Sequence, residues 1–156
     1  ASMQHVQNPE EYRARMPESY TEKQTIKRPY RTVAEAIAKK TRECLDISRR
    51  KEYTEYNGPY AYKVVKTVKY KPTIQNGANK LTVALQLAYV PKPSPDFQNT
   101  PPDGMYIMLA DVYPSGKDTT LHLYGVGPGY TKPVYQALRN WASGTNMGCP
   151  DLSSVG

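Results

Sequence analysis

Histidine and cysteine are both scarce here, and each shortage removes a class of chemistry. His5 and His122 are the only two histidines in 156 residues. A Ser or Cys nucleophile needs a base beside it, so nucleophilic catalysis has little to draw on. The two cysteines, Cys44 and Cys149, form no Cys-x-x-Cys and lack the short spacings of a zinc site. Long apolar runs are missing as well: none approaches the ~20 residues that cross a bilayer as a helix. The glycine-rich Gly125-Val126-Gly127-Pro128-Gly129 has neither the Walker spacing with its Lys-Ser/Thr nor the GxGxxG order, and reads as a flexible connection into a helix. No catalytic residue, cofactor or metal site is expected.

Proline and tyrosine are abundant by contrast. There are 14 of each, against one Trp (Trp141) and one Phe (Phe97). Tyrosine buries a ring while keeping its hydroxyl wet, which suits half-buried positions and binding surfaces. The net charge of +7 belongs to the first half alone. Residues 1–71 hold 16 Lys/Arg and 9 Asp/Glu, whereas residues 72–156 hold five of each. That asymmetry points to an anionic partner, or to a solvated face that keeps the protein soluble.

Residues 1–29 are polar, lack a sustained period and are interrupted by Pro9, Pro17 and Pro29, so they read as an extended arm with a short helical turn near Glu10–Met16. Thr32-Val33-Ala34-Glu35 has the capping-box pattern, and Val33, Ile37 and Cys44 follow at helical spacing, predicting a helix over 33–48. Arg49–Pro59 reads as polar connection ending in a turn. Alternation predicts strands over 60–70 and 80–90, joined through Asn76-Gly77. Five prolines make 91–103 a surface loop. The stretch 104–126 reads as a central hairpin about Pro114–Asp118, its first strand apolar on both faces and so covered on both. Val134, Ala137, Leu138 and Trp141 at i, i+3, i+4, i+7 predict a second helix over 131–143. The expectation is one α+β domain at 30–152: a four-stranded antiparallel sheet of two sequential hairpins, both helices on one face, with a tail at 153–156.

Few residues invite a chemical role. His122 reads as an ordinary sheet-face residue, and Asp111 as a strand-ending group bonded to the following turn. An even cysteine pair this far apart fits a structural Cys44–Cys149 disulfide in an oxidising compartment; two separate buried thiols would give the same sequence. Lys63, Lys66, Lys69 and Lys71, interleaved with Tyr60, Tyr62 and Tyr70, form the most suggestive surface. Cations beside aromatic rings suit anionic lipids, sugar polymers or nucleic acids, although lysines also guard exposed sheet edges.

Ala110-Asp111-Val112-Tyr113-Pro114-Ser115-Gly116, then Thr119–Tyr124, then Trp141-Ala142-Ser143-Gly144 leading to Cys149-Pro150, together with the helix bearing Cys44, resemble small lipoproteins of Gram-negative bacterial envelopes. Ala1-Ser2-Met3 is similar to residues that follow a lipidated Cys, or is a cloning remnant. The resemblance implies a periplasmic protein tethered to the outer membrane by a lipid rather than by a span, and it carries no catalytic residue across. The expected function is a non-enzymatic binding or assembly component contacting an envelope protein, an anionic polymer or lipid. A small periplasmic hydrolase or hydrolase inhibitor is the alternative, and a nucleic-acid-binding module the third reading.

Overall fold

Alternation in the middle of the chain builds the centre of the sheet. A computed structural model describes residues 5–91, 100–127 and 129–156. Strands β4 (Leu81–Val90), β5 (Met105–Ser115) and β6 (Asp118–Tyr124) pair antiparallel in sequence. One face of them carries Leu81, Val83, Leu85, Met108, Ala110, Val112, Leu121 and Leu123, all buried in the main core. The 104–126 hairpin therefore stands as expected, at the centre of the sheet.

The sheet has six strands, not four. Its order is β1-β6-β5-β4-β3-β2, antiparallel throughout, with β1 at Thr21–Ile26, β2 at Ser48–Asn57 and β3 at Tyr60–Asn76. Both extra strands are edges. β1 pairs β6, so the stretch read as an arm contributes an edge strand and, before it, helix α1 (Pro9–Arg15). The Asn8 side chain accepts from the Glu11 amide and Pro9 opens the helix. β2, read as a loop, pairs β3 through ten residues. As an edge strand with its side chains mostly in water, it carries no apolar alternation to betray it.

Helices α2 (Tyr30–Leu45) and α3 (Lys132–Ser143) cover the core face, as expected. α2 begins three residues before the predicted start. Pro29 is its N-cap residue and no side-chain cap bond is made, so the Thr32 box is unused. α3 ends at Gly144 in the left-handed region (φ 72°), with the Gly144 amide bonded to Asn140. Trp141 is fully buried and its indole donates to the Gly148 carbonyl at 3.0 Å.

The opposite face is covered by α1. Tyr12 packs on Ala84 and Leu109 beside Tyr106 and Tyr124, forming a second, smaller core. This cover explains why Leu81–Leu87 is buried on both faces. The last residues also pack: Leu152 and Val155 join the main core, so 153–156 is no free tail. Cys44 and Cys149 are bonded, S–S 2.04 Å, tying α2 to the segment after α3.

Candidate functional site

β3 is longer than its neighbour on one side, and that mismatch produces the most distinctive surface. β4 accompanies it only from Asn76 to Thr67, where Thr67 faces Val90. β2 accompanies it as far as the Asn57–Tyr60 pair. The seven pairs from Lys51–Lys66 to Asn57–Tyr60 thus run past the end of β4 as a two-stranded ribbon, about 20 Å long at ~3.3 Å per residue. A turn with Gly58 at φ +61° closes it.

The pleat splits the seven residues singled out in the sequence. Tyr60, Tyr62 and Lys66 share the side that continues the helix-covered face, since their ladder positions alternate with those of Lys63 and stay in phase with buried Val68. Lys63, Lys69 and Lys71 lie on the other side. Tyr70 does not present its ring to solvent beside them. It is 2% exposed, and its hydroxyl donates to the carbonyls of Leu152 and Val155, because the C-terminal segment lies against β3.

Other side chains at the ribbon's root are also committed to the C-terminal segment. Arg49 Nη2 donates to the carbonyls of Leu152 (3.1 Å) and Ser153 (3.2 Å), and Lys51 Nζ donates to the Gly156 carbonyl. Lys66 Nζ sits over the Tyr53 ring at 5.3 Å and near the Tyr89 ring at 6.0 Å, a cation held by two aromatic faces. Towards the tip, the Tyr62 hydroxyl donates to Glu55 Oε2 at 3.2 Å, and that bond with the nearby carboxylate holds the phenol above its ordinary pKa. Arg50 pairs with Glu52 at 3.0 Å.

What is left uncommitted is informative. Among the described residues no carboxylate lies within ion-pair distance of Lys63, Lys69 or Lys71. Tyr56 is 77% exposed and Tyr60 73% exposed, and Tyr62 is exposed too. From Tyr56 to Lys71 there are four lysines and no acid. At the ribbon's base Lys69 and Lys71 line a groove of about 520 Å³, together with Asp46, Ser48, Ala88, Pro102 and Asp103.

A polar cluster lies on the α1-covered face. Asp111, almost fully buried mid-strand, accepts from Arg13 Nε and Nη2 (2.8 Å each) and from Thr82 Oγ1 (2.7 Å), with Lys80 Nζ at 3.5 Å. Asp111 therefore does not end a strand or cap the turn. Burial alone would raise its pKa, but the bonds from Arg13 and Thr82 and the nearby cations outweigh that and hold it below the usual range. His122, paired across the ladder with Asp111, stacks on Tyr124 with ring centroids 4.1 Å apart. Its Nδ1 lies 3.0 Å from the Tyr124 hydroxyl, and burial, then Lys23, keeps its pKa low. Arg13 is the residue that sequence reasoning missed. It lies 98 positions from Asp111, and only the docking of α1 brings the two together.

No protein-family model and no curated protein sequence matches this chain. Among the described residues, no group of three or more His, Cys, Asp or Glu could hold a metal ion, and no helix is long and apolar enough to cross a membrane.

Proposed function

We propose that this protein is a non-enzymatic binding or assembly component of the bacterial envelope, a periplasmic lipoprotein tethered by a lipid at its N-terminus, which meets an anionic partner through the β2–β3 ribbon. The observation that carries this reading is the ribbon's uncommitted chemistry. Arg49, Lys51 and Lys66 are held by contacts within the molecule, while Lys63, alone among the ribbon's lysines, has no partner among the described residues; Lys69 and Lys71 share its side but lie beyond the ribbon's base. Packing does not require lysine at those three positions. The one buried acid among the described residues, Asp111, is neutralised by Arg13 and Lys80, an arrangement suited to holding α1 on the sheet.

A Lys63→Glu/Lys69→Glu/Lys71→Glu variant separates binding from edge protection, because charge of either sign discourages strand pairing. Lys66 is left alone, since it rests on Tyr53 and Tyr89. Cosedimentation with isolated peptidoglycan sacculi and with anionic vesicles at low salt is the measurement. The parent is expected to pellet with at least one of them, and to be released as salt shortens the Debye length from ~10 Å at 0.1 M to ~3 Å at 1 M. The variant is expected to stay in solution with an unchanged melting point. Equal pelleting of variant and parent would overturn the proposal.

A further inference from the structure

We infer that the tip of the ribbon inserts into the headgroup layer of an anionic phospholipid bilayer, standing on its end rather than lying flat. This rests on the reading of the ribbon as an anion-binding surface and names the partner. Tyr56 and Tyr60, the two most exposed tyrosines of the ribbon, flank the closing turn. They lie on opposite sides of the pleat: Tyr60 faces Asn57 on one side, and Tyr56 faces Ala61 on the other. A polymer or protein lying along one face would leave the other ring in water. A medium that surrounds the tip accommodates both, and tyrosine is the side chain whose ring and hydroxyl match the boundary between headgroups and hydrocarbon.

The cations stand where such a pose needs them. Lys63 is three residues from Tyr60, about 10 Å up one side, and Lys66 is about 20 Å up the other. A headgroup layer is roughly 5–8 Å deep, so Lys63 reaches the phosphate level once the rings are seated, its stem extended along the ribbon. The acids nearest the tip are both engaged, Glu55 by the Tyr62 hydroxyl and Glu52 by Arg50. Lys69 lies about 20 Å beyond Lys63 along the strand, further than the ~8 Å Debye length at physiological ionic strength. Upright insertion therefore makes Lys63 matter and leaves Lys69 and Lys71 nearly silent, whereas a linear polyanion lying along the row would need all three.

The full chain is tested by cosedimentation with phosphatidylglycerol–phosphatidylcholine vesicles, with phosphatidylcholine vesicles and with sacculi. Lys63→Glu is expected to weaken binding to the anionic vesicles on the order of tenfold or more, since one cation near such a surface contributes about fivefold. Tyr56→Ser/Tyr60→Ser is expected to weaken it roughly tenfold. Lys69→Glu/Lys71→Glu should change it less than about twofold. In a Tyr60→Trp variant, brominated lipid is expected to quench the new indole, while Trp141, buried in the core, stays bright in the parent. Circular dichroism melting confirms that each variant is folded. Vesicle binding that depends on Lys69 and Lys71 as much as on Lys63, equal binding to neutral vesicles, or an unquenched Trp at 60 would overturn the insertion. Sacculi binding without vesicle binding would overturn it too, and leave the anionic-polymer reading in place. Binding to neither support ends both readings.

Discussion

The strand pair β4–β5 and the ribbon of β2–β3 are both antiparallel, yet their surroundings differ completely. Leu81–Leu87 is buried residue by residue, because α2 and α3 cover one face and α1 the other. Along β2 the side chains swing only between half-covered and exposed, and the ribbon's tip is exposed on both sides. In β4–β5 the residue types follow from packing. In the ribbon, packing accounts for Lys66 and the root but not for Tyr56, Tyr60 and Lys63, the residues on which the proposed anionic partner rests. A lone two-stranded hairpin is marginally stable in water. This one is held at its root by the C-terminal segment, through Arg49, Lys51 and Tyr70.

The comparison breaks most visibly if the two regions are uncoupled from that anchor. The Cys44–Cys149 bond spans 105 residues, a loop for which chain entropy contributes about 4–5 kcal/mol. Reduction, or Cys44→Ala/Cys149→Ala, is expected to lower the melting point by about 10–15 °C, at the few degrees per ~1 kcal/mol typical of this size. Calorimetry of oxidised and reduced protein checks it, and the ribbon's amides should lose protection before those of β4.

A pair of glycines contrasts the regions at single-residue scale. A Cβ at Gly104 (φ +106°) would stand 2.2 Å from the Leu87 carbonyl oxygen, backbone that cannot give way. Gly104→Ala should cost about 3–5 kcal/mol, in the range reserved for strain inside a packed structure. At the ribbon turn Gly58 also has positive φ (+61°), but nothing lies within 4 Å of its Cβ site. Gly58→Ala should cost about 1–2 kcal/mol, the left-handed penalty alone. Urea midpoints of the two variants give the comparison directly.

Between the two glycines in size, and confined to the covered face, is the Arg13–Asp111 pair. Arg13→Met leaves a buried carboxylate with Thr82 and Lys80 only, and is expected to cost about 2–3 kcal/mol, below the ~3–5 seen for fully buried pairs because Arg13 keeps some exposure. Asp111 titrates below its unfolded value near ~3.9. Its contribution is therefore complete above that pH and disappears as pH falls through the folded value. The parent should lose stability on acidification below about pH 4, and Asp111→Asn should flatten that part of the profile, as thermal melts across pH would record.

How much of this was legible in the sequence follows the same division. β4, the 104–126 hairpin and α3 announce themselves, because residues packed against a core must repeat at the period of their element. Cys44 was legible as a buried helical position for the same reason. β1 and β2 were not, since an edge strand with almost no fully buried side chain is free to be Thr-Glu-Lys-Gln or Arg-Arg-Lys-Glu. Arg13 could not be paired with Asp111 from spacing, nor Tyr70 with Val155, because both contacts join distant segments. Lys63, Lys69 and Lys71 were visible as a charged row, but that Lys66 and Tyr70 belong elsewhere required the register.

Residue-resolved hydrogen exchange, in the free protein and with anionic vesicles, tests the division between core and ribbon most directly. The account predicts that amides of Tyr60–Lys66 exchange orders of magnitude faster than those of Leu81–Leu87 in the free protein, and that vesicles slow the ribbon selectively, most strongly next to its tip. Equal protection of ribbon and core in the free protein, or slowing that falls on β1 and α1 and leaves the tip untouched, would contradict it.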